Sequence, residues 1–464
     1  MARLPSLSRR SLLAGAGAAA IAPAIARGAL AKRPPNILFI LADDLGYADL
    51  SCYGRREYRT PVLDRLAAQG MRLTTAYSNS AVCTATRVAL ITGRYQYRLP
   101  IGLEEPLAGR DVGLPPSEPT LPSRLREAGY ATALVGKWHM GLLPRHGPLQ
   151  SGYDRFWGFR TGALDYFTHD GGEGPDLWDG DTPIERIGYL TDLLADRAIA
   201  QLGEFARGDR PFLLSLHFSA PHWPWEGPED EAESRRLVAG KKWLASADAG
   251  DLATYARMVT RMDVQIGRTL GSLKRLGLER DTIVVFTSDN GGERFSDTWP
   301  FTGRKTELLE GGIRVPAIVR WPGVIRAGSE SADPVMSMDW AATLLAAAGV
   351  AQATDRRLDG IDVAPTLRGG GLPDRALFWR YKALGQRAAR RGRWKYLRIK
   401  DNEFLFDVVA DPLERANHRE REPARFAQLK SEWEAWNQTM LPLDPESLSA
   451  SPSGKTTPDR YGTD

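Results

Sequence analysis

The chain predicts an α/β fold: one large, mostly parallel sheet sandwiched by helices, then a small C-terminal α+β domain with an antiparallel sheet. Three observations carry this. Short runs rich in Val, Ile, Leu and Phe recur up to Gly369, and apolar runs of that length suit strands buried on both faces. Amphipathic, helix-like segments alternate with them. Beyond Gly369 the runs alternate apolar with polar and are joined by a short polar turn, as in a hairpin.

In chain order, the first strand is Asn36 to Ala42, and the helix-like segment Pro61 to Gly70 follows it. Cys83 to Thr92 reads as a helix, with turn-like Ser78 to Val82 before it and Gly93 as its stop. The helix-like segment Pro122 to Gly129 precedes a second strand, Ala131 to Val135. Helix Tyr189 to Arg207 precedes strand Pro211 to Phe218, and helix Asp251 to Leu276 precedes strand Thr282 to Thr287. Val315 to Val319 is a further strand. Residues 34–369 are therefore expected to form the large domain. In the small one, 370–440, Trp394 to Ile399 and Glu403 to Val408 form a hairpin across Lys400-Asp401-Asn402, and Glu422 to Met440 a helix. From Leu441 the chain is rich in Pro, Ser, Thr and Asp, which predicts a disordered tail over 441–464.

Residues 1–26 read as a targeting segment. Arg9-Arg10 precede a small apolar run, Ala14 to Ile21, and an A-x-A-like site at Ala24-Ile25-Ala26, which fits a twin-arginine signal. The run is too short to span a bilayer. The expectation is a protein carried by the twin-arginine export machinery to the periplasm or beyond, with no stable membrane association. Removing Arg3, Arg9 and Arg10 takes the formal net charge from +4 to +1. A nearly neutral chain argues against nucleic-acid binding. The one basic stretch, Arg387 to Lys400, reads as a strand with a solvated charged face, with a polyanion patch as the alternative.

Ligands of open α/β sheets bind beyond the carboxyl ends of the strands. Four such ends deliver polar residues: Asp43-Asp44, then Lys137 and His139, then His222, then Asp289-Asn290. Asp43, Asp44, Asp289 and Asn290 are hard oxygen ligands suited to Ca²⁺ or Mg²⁺, although adjacent acids at a strand end also cap helices. Lys137 and His139 are two apart on an extended segment and so face one way, with Trp138 facing the other. Lys305, in a glycine-bounded loop, is either a surface charge or an anion ligand reaching over the same edge. Cys83 and Arg87, at i and i+4, share a helix face at an N-terminus that favours anions. Cys83 also has bland readings, a core thiol or a disulfide with Cys52, the chain's other cysteine.

In these motifs the chain resembles the type I, formylglycine-dependent sulfatases of the alkaline-phosphatase-like superfamily, arylsulfatases and N-acetylgalactosamine-6-sulfatases above all. Cys83-Thr84-Ala85-Thr86-Arg87 followed by Thr92-Gly93-Arg94 fits the family's C-x-P/A-x-R signature, and Gly136-Lys137-Trp138-His139 its second. Asp43-Asp44-Leu45-Gly46-Tyr47, Ser288-Asp289-Asn290-Gly291-Gly292 and Glu310-Gly311-Gly312-Ile313-Arg314-Val315-Pro316 complete the set, in order, within a similarity running from Pro34 to Asn417. Ala85 stands where proline is frequent and Thr86 where serine is. The resemblance implies that a formylglycine-generating enzyme oxidises Cys83 to Cα-formylglycine. It implies that Asp43, Asp44, Asp289, Asn290 and residue 83 bind Ca²⁺, with Mg²⁺ second. Arg87 would steady the hydrated aldehyde. Lys137, His222 and Lys305 would hold a small-molecule or glycan sulfate ester, His222 or Lys305 would protonate the leaving alcohol, and His139 would deprotonate the gem-diol to expel sulfate.

Two alternatives remain open at this point: a phosphate or phosphonate monoesterase on the same fold, and a noncatalytic sulfated-glycan-binding protein with a Cys52–Cys83 disulfide. Trp178, Trp223 and Trp225 are candidates for packing on the alcohol, and Asp165 and His169 for lining the pocket.

Overall fold

The computed structural model describes residues 33–103, 112–240, 250–351 and 356–445. The expected targeting segment, 1–26, and the part of the expected tail from 446 onward lie outside the described residues. The main sheet has eleven strands. In chain order they are β1 (Asn36–Ala42), β2 (Met71–Tyr77), β3 (Ala131–Lys137), β4 (Arg155–Phe159), β5 (Trp178–Asp179), β6 (Thr182–Pro183), β7 (Phe212–His217), β8 (Thr282–Ser288), β9 (Arg314–Arg320), β10 (Ser329–Ser331) and β11 (Val335–Met336).

Across the sheet the order is β10-β2-β9-β8-β1-β7-β3-β4-β5-β6, with β11 also on β2. The five strands β8, β1, β7, β3 and β4 are parallel throughout. Every residue of β1, β3, β7 and β8 is buried, as the unbroken apolar runs predict. Leu38, Ile40 and Ala42 of β1 enter one core and Ile37, Phe39 and Leu41 another, so the twofold period of the strand splits its side chains between the two faces.

Helices cover both faces. On one, α1 (Pro61–Gln69) shares a core with two later helices; on the other lie α2 (Cys83–Thr92) and α3 (Leu121–Glu127). The partners of α1 are α4 (Leu190–Ala206) and, beyond α5 (Glu231–Ala239), α6 (Leu252–Arg275), whose apolar residues Met258, Val259, Met262 and Ile266 recur at helical spacing. The short α7 (Glu310–Ile313) leads into β9, and α8 (Asp339–Ala347) joins α2 and α3. No described helix is long and apolar enough to cross a membrane.

After α9 (Ala364–Leu367) comes an antiparallel sheet of β12 (Ala376–Tyr381), β13 (Gln386–Arg391), β14 (Trp394–Ile399) and β15 (Asn402–Asp407), with α10 (Pro423–Asn437) packed on it. The expected hairpin is β14–β15. The basic stretch is β13 and β14, but its face is not all solvated: Arg390 and Lys395 turn inward and are buried. This small sheet shares an apolar cluster with α2 and the turn before it, through Ala81, Val82, Ala85 and Ala89. β9 runs antiparallel to β8, so its start, not its end, lies beside the carboxyl end of β8.

Candidate active site

Each of the four parallel strand ends reaches one place. Asp43 and Asp44 follow β1, Lys137 ends β3, His222 follows β7, and Asp289 and Asn290 follow β8. α2 points its N-terminus there. Val82 precedes it in extended conformation without a side-chain cap, and Gly93 ends it with φ 68°. The Cys83 Sγ lies 3.3 Å from Asp43 Oδ1 and 3.8 Å from Asp44 Oδ1. Arg87, one turn on, sends Nη2 to 3.7 Å from the same Asp43 oxygen and binds Asp289 Oδ2 through Nε at 3.0 Å and Nη2 at 2.8 Å. The shared helix face is therefore realised.

Two lysines close the cluster. Lys137 Nζ donates to Asp43 Oδ2 at 2.5 Å, and Lys305 Nζ donates to Asp44 Oδ2 at 2.8 Å while standing 3.2 Å from His222 Nε2. Trp138 faces away, its Nε1 donating to the His146 carbonyl. His139 sits in left-handed conformation, φ 54°, and its carbonyl accepts from Thr84 Oγ1 at 2.9 Å. Asp44 (φ 61°) and Thr306 (φ 71°) share that uncommon backbone region, which non-glycine residues hold only where surroundings over-determine it.

The electrostatics follow from burial and crowding. Burial and Asp289 push the Asp43 carboxyl well above the usual range, against the pull of Lys137 and Arg87. Burial also opposes the charge on Asp289, but Arg87, Lys137, Lys305 and the hydrogen bond with Asp43 together outweigh it and hold that carboxyl below its ordinary value. Burial opposes the Lys137 charge as well, but Asp43 with Cys83 and Asp289 together outweigh it, so the lysine pKa rises. Burial, Asp289 and Asp43 push the Cys83 thiol up, which disfavours its thiolate. Burial and the neighbouring Lys137 push His139 well down, leaving it a neutral imidazole able to accept a proton.

The residues fit a hard divalent cation. Ligand atoms of Asp43, Asp44, Cys83 and His222 lie within 4.8 Å of one another. Asn290 turns its Nδ2 to Asp44 Oδ1 at 2.6 Å, and its buried Oδ1 has no donor among the described residues. Three crowded carboxylates and an unsatisfied amide oxygen are a donor set of the calcium and magnesium type.

Arranged this way, a parallel α/β sheet carries, at its carboxyl edge, a residue at a helix N-terminus backed by acids, two lysines, an arginine and two histidines. That is the architecture of an alkaline-phosphatase-like hydrolase. Comparison narrows it. Residues 35–350 match the family model described as Sulfatase, and 304–436 the one described as N-sulphoglucosamine sulphohydrolase, C-terminal. The N-acetylgalactosamine-6-sulfatase of Canis lupus familiaris is 34% identical over 376 residues, 75% of this chain and 69% of that protein. The steryl-sulfatase of Mus musculus is 34% identical over 427 residues, 73% of this chain and 66% of that one. The crystal structure of Ps i-CgsB in complex with k-i-k-neocarrahexaose superposes with a TM-score of 0.79 at 29% identity, covering 87% of this chain and 93% of that chain. The chain belongs to the type I sulfatases and is a sulfuric ester hydrolase.

All of the predicted site residues, Asp43, Asp44, Cys83, Arg87, Lys137, His139, His222, Lys305, Asp289 and Asn290, are buried. Trp223 comes to the site, its ring centroid 5.1 Å from that of His222. Trp225 instead packs edge-on against Phe295, and Trp178 pairs with Asp176 through Nε1. Asp165 is fully buried, and its Oδ1 accepts from Phe167 N, Thr168 N, Thr168 Oγ1 and Ser234 Oγ. His169 is buried beside it in the same turn. Cys52 and Cys83 are not joined by a disulfide. Cys52 lies by Asp64, and burial with that carboxylate pushes its thiol up to about 12.

Sequence reading missed three supporting residues. Gly162 lies against the His139 ring, where a Cβ would come 2.6 Å from its Nε2. His217 Nδ1 is 3.3 Å from the Lys137 carbonyl. Gln386, from the small sheet, holds the loop that carries Lys305. A glycine between strands and a lone glutamine give no signal in one sequence; His217 is hidden inside an apolar run.

Proposed function

We propose that this chain is an exported, calcium-dependent sulfatase that cleaves sulfate monoesters of carbohydrates, using Cα-formylglycine made from Cys83. The observation that carries the reading is the position of residue 83. It heads a helix, touches Asp43 and Asp44, and is ringed by Arg87, Lys137, Lys305 and His222. Asp43, Asp44, Asp289 and Asn290 would hold the Ca²⁺, which supplies charge neutralisation at the sulfuryl oxygens. Lys137 and Lys305 add to that neutralisation. One hydroxyl of the hydrated side chain at 83 would give its proton to the adjacent Asp43 carboxylate and attack sulfur, and the S–O bond to the alcohol would break, with His222 or Lys305 delivering a proton to the departing oxygen. His139 then takes the proton of the second hydroxyl, the C–O bond to sulfate breaks, and the aldehyde returns. One difficult displacement becomes two easier steps.

The carbohydrate preference is supported by relatives named for N-acetylgalactosamine-6-sulfate and a structure holding neocarrahexaose. Export rests on Arg9-Arg10 and the short apolar run after them. Because the twin-arginine route carries folded chains, the modification belongs in the cytoplasm before export.

Intact-protein mass and a substrate panel test this together. Co-expression with a formylglycine-generating enzyme should lower the mass by about 18 Da, as thiol becomes aldehyde. The modified protein should release sulfate from sulfated mono- and disaccharides and turn over 4-nitrophenyl sulfate faster than its phosphate and phosphonate analogues. Full activity at unmodified mass, or a preference for the phosphorus esters, would overturn the proposal.

A further inference from the structure

Lys305 lies on a loop whose backbone is not at rest. Thr306, the next residue, is β-branched and sits at φ 71°, a conformation such residues avoid. Something must hold it. From the main domain, Lys305 N donates to Gly292 O at 3.0 Å and Thr306 N to Ala81 O at 2.9 Å. From the small sheet, Gln386 supplies the rest. Its Nε2 donates to Thr306 O at 2.9 Å, and its Oε1 accepts from Leu308 N at 2.8 Å. The side chain is buried and grips the loop on both sides of Glu307, directly after Lys305. A second donation, to Ala383 O at 3.2 Å, ties the amide to its own strand connection. The three contacts of this grip, two donated and one accepted, lie on separate backbone groups, a pattern that suits a primary amide of this length.

We propose that Gln386 is a positioning residue for catalysis. It locks Thr306 left-handed, and so keeps Lys305 Nζ at Asp44 and His222, where the sulfate ester and its leaving oxygen are held. This makes the small C-terminal sheet part of the active site without touching substrate. The inference rests on the proposed role of Lys305 and adds a residue to it.

A double-mutant cycle with Lys305→Ala tests it, using holoenzyme of verified formylglycine content and both 4-nitrophenyl sulfate and a sugar sulfate. Gln386→Met should lower kcat/KM by about 10- to 100-fold, the scale of misplacing a reacting group by an ångström. The loss should be greater on the sugar sulfate, whose alcohol needs the proton more. In the Lys305→Ala background the same change should cost less than about twofold, because residues acting as a unit are not additive. Thr306→Gly, which removes the backbone strain, should recover part of the Gln386→Met loss. It also keeps the test open if Gln386→Met alone folds poorly. An undiminished Gln386→Met enzyme, a loss equally large in the Lys305→Ala background, or no rescue by Thr306→Gly would overturn the inference. If Lys305→Ala itself retains full activity, the role given to Lys305 fails instead.

Discussion

Two buried charge clusters lie at the carboxyl edge of β8 and the start of β9, and they are built to opposite ends. The first contains Asp43, Asp44 and Asp289 against Arg87, Lys137 and Lys305. The second contains Glu310 and Glu414 against Lys395, with Arg314 and Tyr77 on Glu310 and Arg390 on Tyr77. Both are dry. In the second, Lys395 Nζ lies 3.0 Å from Glu310 and 2.9 Å from Glu414, and Glu414 also accepts from the Glu310 backbone at 2.6 Å. It joins the small sheet to α7 and closes on itself. The first keeps two buried atoms without partners, His139 Nδ1 and Asn290 Oδ1, and three residues in left-handed backbone, Asp44, His139 and Thr306; the second has one such residue, Glu414 at φ 52°, and its Oε1 is held by the Lys395 ammonium. Unsatisfied groups and strain persist where something outside the chain is to be bound. The contrast teaches that a buried ion cluster is recognised as a site by what it leaves open, not by its charge.

The contrast is broken most sharply at Asp43. Asp43→Asn should lower sulfate release by about 10³-fold, since it removes a preorganised charge from the reacting centre. Stability should move by less than about 1 kcal/mol, because relief from Asp289 offsets the weakened contact to Lys137. Urea unfolding beside a sulfate-release assay reads both. A large destabilisation would place Asp43 with the structural cluster.

Lys395 should behave in reverse. Lys395→Met leaves Glu310 and Glu414 buried without their shared cation, at a cost of about 3–5 kcal/mol. The enzyme that remains folded should keep kcat/KM within about threefold, because this cluster meets no substrate. Loss of kcat without loss of stability would mean that the second cluster acts on the site, and the division between the two would fall.

Much of the first cluster was legible in the sequence and little of the second. Buried parallel strands advertise themselves as unbroken apolar runs, and whatever follows them reaches one edge; hence Asp43, Lys137, His222 and Asp289 were readable from position alone. Cys83 and Arg87 were readable from helical spacing. Lys395 and Arg390 were not: in a strand of alternating basic residues, nothing local says which face is covered, and α7 and Glu414 cover it from elsewhere in the chain. Met71 to Tyr77 was missed as a strand because Arg72, Thr74 and Thr75 interrupt its apolar run. Gln386 acts through backbone groups 80 and 78 residues away, a relation that only the folded chain displays.

The smallest expected effect concerns the layer between the clusters and the core. His217 is buried at the end of β7, and its Nδ1 and the Arg87 guanidinium both approach the Lys137 carbonyl. Burial and Arg87 push its pKa from 6.5 to about 3. A histidine held neutral in the fold binds its proton only in the unfolded chain as pH falls. Its contribution is therefore whole above pH 6.5 and lost progressively toward pH 3. His217→Asn, which keeps a donor near that carbonyl, should flatten the fall of Tm between pH 6.5 and pH 4 while leaving Tm at pH 8 nearly unchanged. Parallel Tm profiles for the two proteins would show that acid stability is set elsewhere, with the carboxylates of the two clusters as the groups to titrate next.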